Sequence, residues 1–176
     1  SGKNYIVLVD TSYSKNFSRL ANIKRQLFKM ENNVVFVMTT VNPSTYTVEA
    51  RHEITEQKLA NVVGILPGKS LSAGQAGKKE EYVIFSAHYD HIGIIDGEVY
   101  NGADDDGSGT VGVLEIAEAF VKAKAAGNGP RRNVLFMTVS GEEKGLWGSE
   151  YFSEHPTVPM DKVTADLNID MIGRTD

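Results

Sequence analysis

Two rhythms of hydrophobic and polar residues alternate along this chain. Short runs rich in β-branched residues at 5–9 and 34–38 read as buried strands, the second halted by Asn42-Pro43-Ser44. Between them Phe17, Leu20, Ala21, Ile23, Leu27, Phe28 and Met30 recur at helical spacing, with Lys and Arg interleaved, and predict a helix over 17–30. Residues 45–50 alternate as a strand does, 60–66 predict another strand, and 67–81 form a polar loop punctuated by glycine. Residues 82–87 form a run typical of a strand covered on both faces. The strongest helix covers 110–126, with Val111, Leu114, Ala117 and Val121 on one face and Val113, Ile116 and Phe120 beside them. Ser108 or Thr110 can cap its start, and Gly127, Gly129 and Pro130 follow its end. A strand at 133–139, a helix near 146–152 and a strand at 163–169 complete the pattern. Strands alternating with helices predict an α/β sandwich around a largely parallel sheet covered on both faces.

Composition narrows what such a fold can do. With 176 residues the chain is long enough for one core and part of a second. There is no cysteine, so disulfide scaffolds and thiolate metal sites are excluded, and any metal must be held by the four histidines and by carboxylates. Eighteen Lys and Arg against 23 Asp and Glu give a net charge of −5 with no basic cluster longer than a pair, which argues against a nucleic-acid partner. No stretch approaches the roughly 18 apolar residues of a membrane span. Residues 64–70 imitate a phosphate-binding loop but place three residues between the glycines where four are needed.

Polar residues gather where apolar strands end: His88 and Asp90, then Asp104-Asp105-Asp106, then Glu142-Glu143, then Asp170. Ligands of open α/β sheets bind outside the carboxyl ends of the strands, so parallel neighbours would bring these groups to one rim. Carboxylates sharing a cleft repel one another unless a cation compensates, and nitrogen and oxygen donors without sulfur suit a catalytic zinc. In an extended segment His88 and Asp90 point the same way, so Asp90 can orient the imidazole. Each group also has a structural reading: a satisfied histidine, a helix-capping aspartate loop, two solvated glutamates, a turn aspartate. It is their joint occurrence at strand ends that favours a site.

The segments Ala87-His88-Tyr-Asp90-His-Ile-Gly93, Asn101-Gly-Ala-Asp-Asp105-Asp-Gly-Ser-Gly109, Ser140-Gly-Glu142-Glu143-Lys-Gly-Leu-Trp-Gly-Ser149 and Asn168-Ile-Asp170-Met-Ile-Gly173 resemble, in order and spacing, the successive signatures of the M28 family of zinc metallopeptidases. The resemblance covers roughly residues 45–176 and implies a three-layer αβα sandwich with a mostly parallel, mixed central sheet. It leaves 1–44 as the end of a protease-associated-like insert or as extra sheet elements. It also implies two zinc ions: His88 and Asp170 on the first, Glu143 on the second, Asp105 bridging both. Glu142 would then be the general base and Asp90 would steady His88, with a cis peptide joining Asp105 to Asp106. The family pattern adds a histidine well downstream of the Asp170 position, and this chain ends six residues after Asp170. Neither His91 nor His155 holds that place, so the second zinc is expected to bind poorly here and the fragment to be weakly active or inactive. The implied activity is that of an aminopeptidase acting on peptide substrates outside the cytoplasm. A related carboxypeptidase, dipeptidase or glutaminyl cyclase, and a catalytically silent peptidase-like binding domain, stand as alternatives.

Overall fold

The computed structural model describes residues 3–21, 32–49, 56–69 and 80–175. The chain divides into two compact units, residues 1–57 and 58–176. In the first, strands β1 (Tyr5–Val9) and β2 (Val34–Met38) pair in parallel, Tyr5 opposite Val34 and Val9 opposite Met38. A 3-10 turn over Thr11–Asn16, capped by the Asp10 carboxylate on the Ser12 amide, leads into helix α1 (Phe17–Ala21). The remainder of the helix expected over 17–30 lies outside the described residues. Residues 45–49 are not a strand, contrary to their alternation; no ladder partner faces them among the described residues, and alternation without a partner cannot hold an extended segment in place.

The second unit is built on a four-stranded sheet. Its strands are β3 (Val62–Leu66), β4 (Tyr82–His88), β7 (Asn133–Val139) and β8 (Val163–Asn168), in the order β3-β7-β4-β8. β7, β4 and β8 are parallel and β3 is antiparallel at one edge. Between β4 and the long helix α2 (Gly107–Ala125) sits a hairpin of β5 (Gly93–Ile95) and β6 (Glu98–Tyr100), which the hydrophobic pattern did not announce. Helix α3 (Trp147–Glu154) follows β7.

The layers follow from the two faces of β4 and β7. Ile84, Leu135, Met137 and Val139 pack with Phe152 of α3 and with Val158. Paired across the strands, Phe85 and Phe136 stack with ring centroids 6.0 Å apart, and Phe120 of α2 closes on both at 5.9 and 6.0 Å. Aromatic triads of this kind add to the stability that area burial alone supplies. Helices thus lie on both sides of the sheet, giving the expected αβα sandwich with a mixed, mostly parallel centre. The stripe of α2 that meets the sheet differs from the one expected. Val113 is 1% exposed whereas Val111, Leu114 and Val121 are more than half exposed, because α2 is apolar on more than one side and the sheet selects the face carrying Gly109, Val113 and Phe120.

Candidate metal centre

The parallel strands end in register: His88 of β4 stands opposite Val139 of β7, and the Ile169 amide just past β8 donates to the Ser86 carbonyl at 2.8 Å. The loops that leave these strands therefore open on one rim, and α2 begins beside them. Its start is capped by Asp106, not by Ser108 or Thr110. An aspartate accepts from two directions at once, and Asp106 uses Oδ1 for the Gly109 and Met171 amides, at 2.9 and 3.3 Å, and Oδ2 for the His88 amide at 3.0 Å. The two hydroxyls bond elsewhere: Ser108 Oγ donates to the Asp104 carbonyl at 2.7 Å and Thr110 Oγ1 to the His88 carbonyl at 2.8 Å.

The three consecutive aspartates have three separate tasks. Asp106 is buried and structural. Asp104 accepts from the Gly173 amide at 2.8 Å and pairs with Arg174, clasping the loop after β8 to the start of α2. Asp105, joined to Asp106 by a cis peptide as the family resemblance implies, turns its carboxylate to the rim. There its Oδ1 lies 3.0 Å from His88 Nε2 and 3.8 Å from His91 Nδ1.

Asp170 Oδ1 approaches His88 Nε2 to 3.9 Å, and His88, Asp105 and Asp170 together present ligand atoms within 4.8 Å of one another. A second group of the same compactness joins His91, Asp105 and Glu143. Asp105 belongs to both groups, and Glu142 belongs to neither. Sequence reasoning set His91 aside as not holding the place of the family's downstream histidine; the structure brings it beside Asp105 and Glu143, from the same loop as His88. His155 instead stacks on Tyr151 at the end of α3, with ring centroids 4.5 Å apart.

Asp90 holds His88 by a different atom from the one expected. Its main-chain carbonyl lies 2.9 Å from His88 Nδ1, while its carboxylate stands 3.7 Å away and accepts from the Glu142 amide at 3.3 Å. A ring nitrogen bonded to a fixed carbonyl sets the tautomer and leaves the other nitrogen free to act as a ligand. The glutamates ride on a tight turn, Glu142–Lys144, between Gly141 and Gly145, whose φ values of 78° and 115° favour glycine.

The electrostatics of the rim are those of crowded anions. Burial draws the His88 imidazole down, but the Asp90 carbonyl and the charges of Asp106, Glu142 and Asp170 outweigh it and hold it above its ordinary value. Burial pushes the Glu142 carboxyl up; His88 opposes the shift, and Glu143, Asp170 and Asp105 reinforce it. Burial likewise raises Asp106 against its amide donors. His88 Nε2, His91 Nδ1 and Glu143 Oε1 are all out of contact with solvent, close to opposing ligand atoms, yet none forms a hydrogen bond. Converging donor atoms that share no proton, all nitrogen or oxygen, are the setting a dication such as zinc satisfies.

A sequence model of peptidase family M28 matches residues 61–176, and the chain belongs to that family. It is 39% identical over 110 residues to leucine aminopeptidase 1 of Sclerotinia sclerotiorum, covering 60% of this chain and 28% of that protein. Against a probable leucine aminopeptidase of Trichophyton verrucosum it is 32% identical over 185 residues, covering 92% of this chain and 51% of the relative. Among solved structures, an aminopeptidase from Aneurinibacillus sp. strain AM-1 shares the fold over 66% of this chain and 25% of its own, with a TM-score of 0.52 and 24% identity. The chain thus spans about half or less of the length of these relatives. Among the described residues no helix is long and apolar enough to cross a membrane.

Proposed function

We propose that this M28 family chain carries the core of a zinc-dependent exopeptidase, an aminopeptidase that removes N-terminal residues from peptides. The observation that carries the reading is the meeting of His88 at the end of β4, Asp170 just past β8 and Asp105 at the start of α2, with Glu142 beside them and outside both ligand groups. The names of the relatives support the substrate class.

In this reading His88, Asp105 and Asp170 hold one zinc, and Asp105 and Glu143 hold the other. Zinc there would polarise the scissile carbonyl and acidify the attacking water. The rest falls to the chain. Asp90 fixes the His88 ring through its carbonyl, and through its carboxylate it positions the Glu142 amide. Glu142 accepts a proton as water adds to the peptide carbonyl carbon, then returns it to the amine nitrogen as the C–N bond breaks. A carboxyl held above its usual range by burial is better matched to that exchange than an exposed one. Residues 1–44 we read as the end of an insert resembling a protease-associated domain or as extra sheet elements; the compact unit over 1–57 supports a separate piece. We also place the protein outside the cytoplasm, on the family likeness.

The test is hydrolysis of leucine p-nitroanilide against the same substrate blocked at its amine, with zinc removed and restored. Cleavage, weak in this chain, that needs both zinc and a free amine is expected. Zinc-loaded protein that binds peptides and cleaves none would favour a silent binding domain instead.

A further inference from the structure

The glutamate turn leaves the sheet through a narrow neck. Its two ends, Ser140 just past β7 and Gly148 in the first turn of α3, lie against each other. A Cβ on Gly148 would stand 2.6 Å from the Ser140 carbonyl oxygen and 2.8 Å from the Ser140 nitrogen. One side chain reaches both ends. Asn61 donates through Nδ2 to the Gly148 carbonyl at 2.7 Å, and its Oδ1 accepts the Ser140 amide at 3.4 Å. We propose, resting on the exopeptidase reading above, that Asn61 is a positioning residue that holds the turn bearing Glu142 and Glu143 at the rim.

The topology brings an asparagine to that place. β3 is the antiparallel strand, so it starts where β7 ends, with Val62 opposite Thr138. The residues that enter β3 therefore lie at the rim end of the sheet. Ala60 accepts the Tyr89 hydroxyl from the His88 loop, and a Cβ on Gly141 would stand 3.1 Å from Leu59 Cδ1. A side-chain amide donates from one atom and accepts at another, as bracketing a carbonyl and an N–H requires; an ionised carboxylate only accepts. Inside the neck the Leu146 and Trp147 amides donate to the Glu142 and Gly141 carbonyls at 2.9 and 3.1 Å, which fixes the shape of the turn. Two ties from outside fix its place: Asp90 on the Glu142 amide, and Asn61 at the neck. A base displaced by about 1 Å from its water can lose about 10²-fold in rate, so the place matters as much as the shape.

Trp147, the only tryptophan of the chain, stands at this neck with its Nε1 shielded from solvent and so reports on it. Asn61→Ala and Asn61→Leu both remove the two hydrogen bonds, the second while keeping most of the side-chain volume. In the metal-free chain each should shift the native Trp147 emission to the red. Each should also speed exchange of the Leu146 and Trp147 amides by about 10-fold or more, as the loss of two hydrogen bonds implies. At saturating zinc, kcat for leucine p-nitroanilide should fall by about 10–100-fold, the cost of losing an outer partner, with KM little changed. Val134→Ala, a buried site at the other end of β7, is the control: it should lower the urea midpoint and leave native emission and kcat as in the wild type. Asn61 variants with wild-type emission and exchange would overturn the proposal, and so would a loosened neck that left kcat unchanged. Equal changes in Val134→Ala would overturn it too, by reducing Asn61 to a contributor to overall stability. A wild-type chain that cleaves no substrate would instead overturn the exopeptidase reading, and emission and exchange alone would then decide whether Asn61 holds the turn.

Discussion

The carboxylate of Asp106 receives the main-chain amide of His88 at 3.0 Å, so the residue that starts α2 also fixes the imidazole-bearing end of β4. Asp106 is 1% exposed and accepts two further amides, those of Gly109 and Met171. Asp106→Asn turns an NH2 toward one of these donors and leaves a buried group unsatisfied. The expected loss is about 1–3 kcal/mol in urea unfolding. A variant as stable as the wild type would show that these three bonds are not what seats His88.

Gly109 faces the same carboxylate, and an added Cβ would collide with Asp106 and with the Ile169 carbonyl. Neither neighbour is a yielding side-chain tip: one is main chain and the other is pinned by its amides. Gly109→Ala should therefore cost about 3 kcal/mol or more and loosen the loop that bears Asp170. Gly64→Ala, where nothing lies within 4 Å, is the control and should stay within about 0.5 kcal/mol. Equal thermal shifts in both variants would contradict the packing described.

Glu142→Gln separates base from ligand. Zinc content should persist while turnover of leucine p-nitroanilide falls by about 10²–10⁴. A variant that lost its metal would mean that Glu142, not Glu143, binds zinc.

The same substitution has a pH signature in the metal-free protein. Glu142 is raised above its ordinary 4.5, so its folded environment favours the neutral carboxyl. The stability this gives is complete below the unfolded value and is lost as pH rises through the folded one. In chelator, Glu142→Gln should gain on the wild type as pH rises above about 4.5, and the gap should close in more acid solution. Thermal melting at a series of pH values checks this; a gap that widened toward acid would reverse the sign.

Removing zinc should destabilise the rim. At a free concentration 100 times the dissociation constant a bound ion adds about 2.7 kcal/mol, so chelation should lower the melting temperature and zinc should restore it. His88→Ala should remove one ion and reduce that restoration. Unchanged stoichiometry would take His88 out of the site.

Much of this architecture was legible in the chain because continuous β-branched runs have few homes other than strands. The runs at 5–9, 34–38 and 133–139 became strands with those bounds, but only the last is buried; β1 and β2, expected as buried strands, pair in a two-stranded sheet and stay exposed or half-buried throughout. The β5–β6 hairpin was missed although Asp96-Gly97, at φ of 52° and 85°, is a strong short-turn signal; its three-residue, exposed strands are too short to show a period. The buried face of α2 was misjudged because Leu114 and Val113 are equally apolar in sequence and only the sheet distinguishes them. At the rim, the aspartates and glutamates could be placed by spacing, but the Asp90 carbonyl on His88 could not, since main-chain partners leave no mark on residue type. His91 was weighed and set aside because the family pattern places its further histidine far downstream.

The clasp between the start of α2 and the loop after β8 joins residues 64 to 69 positions apart: Met171 to Asp106, Ile172 to Ser108, Gly173 to Asp104. During synthesis, then, His88 and Asp105 leave the ribosome well before their partner Asp170 can be fastened. On the zinc reading proposed above, a nascent chain would carry half a chelate and no finished one, and ion capture would wait until the last of these amides has emerged.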